Sequence, residues 1–420
     1  MSFWQVLAAL ILTWTTAGAA GAESASDAPS YANQTTYGNA QTSTIKRAPA
    51  NYSMLFLETV GRHGARSLTS PAAENRALKV WKAASARDSL TANGRHFARD
   101  LADFQRAERT IGYGELSGVG AYEWRGIGRR TADVYAPFFA AAQSANEPIA
   151  TMTSPVQRTK DSGAAMRKAL RATFPDLTFS KPTVSARKLH FTSTRSAKGA
   201  AAIAKIDKRS DVRAAAKHVL RRLYTKAYVS SLSDPVGKAL DVYLLFSTTP
   251  GMADESDVTF ARYVPAKDSR VLAYAQDARN FYTYGPGVKG QTGSYKNARP
   301  LLDDFLGRLD KRIAGSSTAA VLRFAHGETT MPLAALLKLP GSAKQAAAST
   351  PYTYQNSAWR GSVAGKLSGN IEWVAYRNAA RRVLVTMRYN EEPVKFRKKC
   401  VAATPDGYFY RPAELRRCLT

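Results

Sequence analysis

The sequence predicts an α/β fold: a mainly parallel sheet flanked by helices, with a smaller, largely helical cap domain. Three observations carry that reading. Short apolar runs at residues 52–60, 148–152 and 319–325 each stop at a polar, chemistry-bearing segment. Helical periodicity fills the stretches that follow the first two runs. Residues 186–310 are rich in Ala and charge, with helical spacing and few strand candidates. Continuous apolar runs alternating with helical ones are the pattern of strands buried on both faces of a parallel sheet.

Taken in chain order, residues 1–22 read as a secretory signal, with an apolar stretch from Phe3 to Trp14 and Ala20-Gly21-Ala22 as a small-residue cleavage site. The segment before the apolar stretch lacks Lys and Arg, which leaves a retained anchor as the alternative, although the run is short for a bilayer span. Residues 23–48 are polar and without apolar periodicity, so a flexible leader is expected. Met54, Leu55, Phe56 and Leu57 then open the first strand, bounded by Gly61. From Pro71 to Phe139 the apolar positions fall three and four apart, as in Phe97, Leu101 and Phe104, and a glycine-bearing interruption at 112–120 separates two such helices. The strand at 148–152 runs into Thr153-Ser154-Pro155, and a helix is expected over 157–172. The strand at 319–325 ends at His326-Gly327-Glu328, with Thr329 or Thr330 as the cap of the next helix and Pro332 in its first turn. Strands at 370–376 and 382–387 complete the sheet. The expected organisation is therefore a discontinuous core, 49–185 and 311–420, interrupted by a helical cap at 186–310.

Length and composition allow one large or two medium domains: 420 residues, 45% hydrophobic and 10% aromatic. Sixty Lys+Arg against 32 Asp+Glu give a net charge of +28, which implies an anionic partner. The basic residues are scattered over helical faces, and neither zinc-finger spacing nor an RNA-binding aromatic signature is present, so nucleic acid is not the expected partner. Two cysteines, Cys400 and Cys418, pair and pin the tail if the chain is exported; two free thiols are the alternative if it is not. Two cysteines and five scattered histidines argue against a structural zinc site. The expected location is secreted or periplasmic, with no stable membrane insertion once the signal is removed.

The chemistry lies where strands end. Arg62-His63-Gly64-Ala65-Arg66, Ser154-x-x-x-Arg158 and His326-x-Glu328 each follow an expected strand closely. In an open parallel sheet, all such C-terminal ends point to one edge, where ligands bind. His63 set between guanidiniums suits an oxyanion with three terminal oxygens, such as a phosphoryl group. Neutral His63 is the candidate nucleophile, because Arg62, Arg66 and Arg158 disfavour its imidazolium. The same arginines, with His326 as a further donor, offset charge on the phosphoryl oxygens. Glu328 is the candidate general acid, on the same side of an extended segment as His326. A carboxylate at a helix N-terminus is favoured when charged, whereas a general acid needs its proton. Low working pH or the negative charge of bound substrate reconciles the two; the alternative is that Glu328 only caps the helix. The other histidines, His96, His190 and His218, read as ordinary surface or packing residues.

On these residues the chain resembles the histidine acid phosphatase superfamily, whose hallmark is Arg-His-Gly-x-Arg near the N-terminus. Residues 322–333 (LRFAHGETTMPL) are similar to the branch with a His-Ala-Glu motif, that of multiple inositol polyphosphate phosphatases and bacterial phytases. Residues 153–163 (TSPVQRTKDSG) resemble the family's Ser-x-x-x-Arg helix start, and residues 361–370 and 389–392 look similar to that branch's C-terminal features. The resemblance implies His63 as nucleophile, Arg62, Arg66, Arg158 and His326 on the phosphate, Glu328 as proton donor, and no metal cofactor. Gly327 stands where Ala is usual, and Leu68 where many relatives outside the branch carry Pro. The implied activity is phosphomonoester hydrolysis of inositol polyphosphates such as phytate, with an anionic small molecule as partner. A broad-specificity acid phosphatase is the same-class alternative. A non-catalytic polyanion-binding surface protein is the alternative of another class.

Overall fold

The computed structural model describes residues 28–38 and 43–420. The expected signal at 1–22 lies outside the described residues. The strands are β1 (Tyr52–Arg62), β2 (Ile149–Thr153), β3 (Thr183–Val184), β4 (Ala320–Ala325), β5 (Asn370–Asn378), β6 (Val383–Tyr389) and β7 (Glu392–Val394). They form one sheet in the order β3-β2-β4-β1-β5-β6-β7. The first four are mutually parallel; β5, β6 and β7 continue the sheet beyond β1 with antiparallel pairings. Five strands of the seven thus share one direction, as a mainly parallel sheet requires.

Between β1 and β2 lie α1 (Ala72–Ser85), α2 (Ala92–Ile111), α3 (Gly118–Val134) and α4 (Ala136–Ser144), and α5 (Gln157–Thr173) follows β2. After β3 come α6 (Ala186–Leu189), α7 (Ala197–Asp207), α8 (Ser210–Leu223), α9 (Lys226–Ser231), α10 (Pro235–Thr248) and α11 (Ala266–Thr283). The chain returns to the sheet through α12 (Arg299–Ile313) and leaves β4 by α13 (Gly327–Leu337); α14 (Gly361–Ala364) precedes β5, and α15 (Pro412–Leu419) ends the chain.

Alternation along the strands feeds two apolar layers. In β4, Val321 and Ala325 pack with Leu302, Phe305 and Leu333 on one face, whereas Leu322 and Phe324 meet Trp124, Ile127 and Met166 on the other. The first face is covered by α6, α12, α13 and α15, the second by α3, α4 and α5. Arg323 is the charged exception inside β4. It is fully buried and bonded to Glu58 of β1 at 2.9 Å and to Asp304 of α12 at 2.7 Å, and Lys188 also holds Asp304. A charge at that depth is tolerated only when paired and hydrogen-bonded in this way.

A third apolar cluster, around Phe260, Tyr263, Phe281, Tyr352 and Trp359, unites α1, α2, α7 to α11 and α14. The helical unit therefore differs from the expected 186–310 cap: α1 and α2 join it, while α6 and α12 lie on the sheet. An amphipathic helix has the same period of about 3.6 residues whichever layer it covers, so spacing alone cannot assign it to one. The expected leader also differs in part. Within it, Ala32 and Tyr37 are buried, and Tyr31 stacks on Phe246 at 5.2 Å. Such a polar stretch cannot fold alone but becomes ordered where a groove supplies its partners.

Cys400 and Cys418 are disulfide-bonded, as expected for an exported chain. The bond ties α15 to the segment after β7, and closing a loop of that length is worth about 3 kcal/mol in the chain-entropy model. Among the described residues, no helix is long and apolar enough to cross a membrane.

Candidate active site

The sheet register brings the three motifs together. Arg62 pairs with Ala325 across β1 and β4, and Thr153 with Phe324 across β2 and β4, so the three strands stop almost level. The ladder continues one residue further: the His63 N–H donates to the Ala325 carbonyl at 2.9 Å and the Ser154 N–H to the Phe324 carbonyl at 3.2 Å. His63, Ser154 and His326 therefore emerge side by side from the C-terminal edge. On the far side of β1, the Arg62 N–H donates to the Gly369 carbonyl and the Ser368 N–H to the His63 carbonyl, which closes the wall with the segment before β5.

His63 is buried, and its Nδ1 lies 2.8 Å from the Gly64 carbonyl oxygen. A carbonyl only accepts, so Nδ1 carries the hydrogen and Nε2 keeps its lone pair. Burial, followed by the charges of Arg62, Arg158, Arg66 and His326, holds this imidazole well below the ordinary histidine range. The loop after it is fixed by main-chain donors. Gly64 N–H reaches Ser162 Oγ at 3.2 Å, Ala65 N–H reaches Glu123 Oε2 at 2.9 Å, and Leu68 N–H reaches Glu108 Oε1 at 2.8 Å.

The Nε of each of Arg62, Arg66 and Arg158 is buried and has no acceptor among the described residues. Among the described residues, none of the three guanidiniums is in a salt bridge. Burial lowers all three, Arg62 to about 10 and Arg66 to about 9, so they remain cationic near neutral pH. Arg158 also donates from Nη1 to the Gly114 carbonyl at 3.2 Å and lies 3.3 Å through Nη2 from His326 Nδ1.

Glu328, half-buried in the first turn of α13, is close enough to Arg62, Arg66 and Arg158 to oppose the lowering of each. The His63 and His326 rings are 5.4 Å apart at 71°. A cluster of buried and half-buried cations around an unprotonated imidazole, with one carboxyl at its rim, suits an oxyanion.

A cavity of about 590 Å3 lies at the other end of α13, by Lys289, Lys338 and Lys344. It has no histidine or carboxylate in its lining and shares no residue with this cluster.

Residues 53–367 match the model of the histidine phosphatase superfamily (branch 2). The chain belongs to that superfamily. Among solved structures, the Bifidobacterium longum multiple inositol polyphosphate phosphatase in complex with inositol hexasulfate is 28% identical. The likeness covers 93% of this chain and 97% of that one, with a TM-score of 0.88. Two phytases share the fold at 13% identity. That of D. castellii covers 94% of this chain and 83% of its own with a TM-score of 0.66; that of Hafnia alvei, in complex with myo-inositol hexakis sulphate, covers 89% and 97% with a TM-score of 0.56. No curated protein sequence matches the chain.

All six residues expected at the site of this phosphatase converge, but three local expectations need correction. The helix after β4 starts at Gly327, with His326 as N-cap, so Glu328 lies in a helical turn and not on an extended segment. Thr329 and Thr330 do not cap it: their hydroxyls donate to the Leu189 and His326 carbonyls, and Pro332 falls inside the helix. His326 also differs from a simple outward donor. Arg158 can only donate, so His326 Nδ1 accepts from it and Nε2 donates to Ser154 Oγ at 2.8 Å.

Sequence reasoning also missed residues. His190 is exposed and packs its ring 4.4 Å from that of His326, a surface and packing histidine as expected, but one whose place beside the site was not foreseen. Glu123 and Glu108, which hold the motif loop, look in sequence like any charged residue of a long helix. A glutamate beside buried Trp124 was the one available signal.

Proposed function

We propose that the protein is an extracytoplasmic phosphomonoesterase that hydrolyses inositol polyphosphates such as phytate through a phosphohistidine on His63. One observation carries the reading: a buried, neutral His63 stands among three guanidiniums that form no salt bridge among the described residues. Such a cluster is costly to bury unless an anion is to be bound there. The apolar stretch at Phe3 to Trp14 and the disulfide support export.

In the first step, His63 Nε2 forms the P–N bond as the P–O bond to the leaving group breaks, and Glu328 gives its proton to the departing alkoxide. In the second, Glu328 takes a proton from water, whose oxygen attacks phosphorus and breaks the P–N bond. Arg62, Arg66 and Arg158 hold the phosphoryl oxygens throughout. When Arg158 turns to the phosphate, His326 can exchange its ring hydrogen with solvent water, losing it from Nε2 and gaining one on Nδ1, while the Ser154 hydroxyl reverses to donate to Nε2; His326 Nδ1 then becomes a donor as well. His63, held well below the ordinary histidine range by burial and the flanking cations, remains a nucleophile at acid pH.

A polyphosphate is favoured over a simple ester by what borders the site. His190 also lines a surface cavity of about 470 Å3 with Arg187 and Lys296, and no acidic side chain contributes to that lining. Together with the net charge of +28, this offers cations to phosphates other than the one cleaved. The multiple inositol polyphosphate phosphatase that this chain resembles over most of its length binds inositol hexasulfate, an analogue of such a substrate.

The test compares kcat/KM for phytate and for an aryl phosphate between pH 4 and 7. Phytate is expected to be preferred; a preference for the small ester would leave a broad-specificity acid phosphatase. His63→Ala is expected to abolish turnover of both while phosphate binding persists. Hydrolysis by that variant would remove His63 as nucleophile, and a wild-type protein that binds phosphate without turnover would leave only a polyanion-binding role.

A further inference from the structure

The geometry points to residues 30–37 as a positioning strap that aims Arg62 at the substrate phosphate. Arg62 Nη1 donates to two main-chain carbonyls, those of Asn33 and Gly365. A guanidinium holds five N–H donors in one plane, and Nη1 supplies two of them. With both engaged from behind, the plane is fixed. The edge formed by Nε and Nη2, whose two N–H bonds are parallel, is left for bidentate contact with an oxyanion. The buried Nε without an acceptor lies on that edge. One of the two fixing carbonyls thus comes from 29 residues upstream, outside the signature motif.

The strap is anchored independently of Arg62. At its start, Ser30 N–H donates to Ser269 Oγ and the Tyr243 hydroxyl to the Ser30 carbonyl, both at 3.0 Å, while Tyr31 stacks on Phe246. At its end, Leu367 N–H donates to the Thr35 carbonyl at 3.0 Å and Tyr37 N–H to Glu123 Oε1 at 2.6 Å. Glu123 is the same carboxyl that holds Ala65, so the strap and the motif loop share one support. The turn that presents the Asn33 carbonyl needs left-handed backbone at buried Ala32, with φ of 47°. Its bed is equally tight: a Cβ added at Gly361 or Gly365 would lie 3.0 Å from the Asn33 nitrogen or Cβ. The helical unit thus reaches the phosphate site through a peptide carbonyl, and a leader cut downstream of Asn33 would lose it.

This inference rests on the proposed phosphate chemistry, and inorganic phosphate is the probe that separates the two. In the full mature chain, Ala32→Val forces a β-branched side chain into left-handed backbone, Ala32→Gly relaxes it, and a Gly-Ser replacement of residues 30–36 removes the side-chain anchors. Competitive inhibition by phosphate and kcat/KM for an aryl phosphate are measured per folded molecule.

The valine variant and the replacement are expected to weaken phosphate by about 10–100-fold, the worth of one charge-assisted hydrogen bond, with glycine near wild type. In an Arg62→Ala background the replacement should cost nothing further, which a merely structural role would not produce. Unchanged phosphate affinity in the replacement, or in Ala32→Val if the replacement fails to fold, overturns the strap. Equal losses with and without Arg62 overturn it too. A wild-type protein that does not bind phosphate at all refutes the proposed function instead.

Discussion

Gly64→Ala tests how closely the nucleophile depends on a single main-chain contact. A Cβ built at Gly64 would lie 2.4 Å from the Gly120 carbonyl oxygen and 2.7 Å from its carbon, at the start of α3. Both neighbours are backbone, and α3 is held where it is. Ser117 Oγ caps Gly120 N–H at 3.2 Å and donates to the Gly251 carbonyl at 2.6 Å, and Ser117 N–H donates to the Ala65 carbonyl at 3.0 Å. The motif loop must therefore give by about 1 Å to reach an ordinary 3.4 Å contact.

That displacement carries the Gly64 carbonyl, the acceptor that orients His63. A misplacement of this size at a reacting group costs about 100-fold in rate, and the overpacking costs about 1–3 kcal/mol of stability. The assay is kcat on an aryl phosphate, inhibition by inorganic phosphate, and Tm. The expected result is a kcat loss that exceeds the weakening of phosphate, because the arginines that bind it also lie on β1 and α5. A kcat within about threefold of wild type would refute the claim that the Gly64–Gly120 approach aims His63.

Two further outcomes follow from the same geometry. Glu328→Gln is expected to slow esters with poor leaving groups by about 100-fold or more, and an aryl phosphate far less; equal loss on both would remove Glu328 as proton donor. Asp277 of α11 is buried against Tyr354 and the Gly361 N–H, and burial pushes its carboxyl up to about 7. A folded-state value above the unfolded one means that the folded state holds this proton more tightly, so stability is full at acid pH and is lost as pH rises through about 7. Asp277→Asn should flatten the urea-midpoint profile between about pH 4 and 7, with a difference of a few kcal/mol at the upper end. A wild-type midpoint that does not fall over that interval would contradict the assignment.

How much was legible in the sequence depends on how many faces a segment buries. β1 and β4 are covered on both faces, so their side chains form continuous apolar runs, and the site motifs follow at their ends. β3 has two residues and β7 three, too short for a run to register. The β5–β6 hairpin was visible as two strands, but its direction is set by the connection and not by composition. The segment after β4 misled because Thr329, Thr330 and Pro332 look like helix-start residues. The ladder instead delivers the chain into helical geometry at Gly327, and the hydroxyls then bond to carbonyls within reach. The leader could not be read at all: Asn33 acts through its peptide carbonyl, which every residue has.

Two carboxylates behind the arginines show how the site keeps its charge. Glu123 and Glu108 lie behind the motif loop, yet neither forms an ion pair with Arg62 or Arg66. They accept main-chain N–H groups instead, from Tyr37 and Ala65 at Glu123 and from Leu68 at Glu108. Burial raises both above the usual carboxylate range, Glu108 to about 8. Had either carboxylate bridged to a guanidinium, it would have cancelled the field that draws a phosphoryl group. Bonded to the loop's own backbone, the same side chains fix its shape and leave the positive charge to the substrate. The motif therefore works only on a scaffold that supplies hydrogen-bond acceptors without supplying countercharge, a requirement no five-residue signature can state.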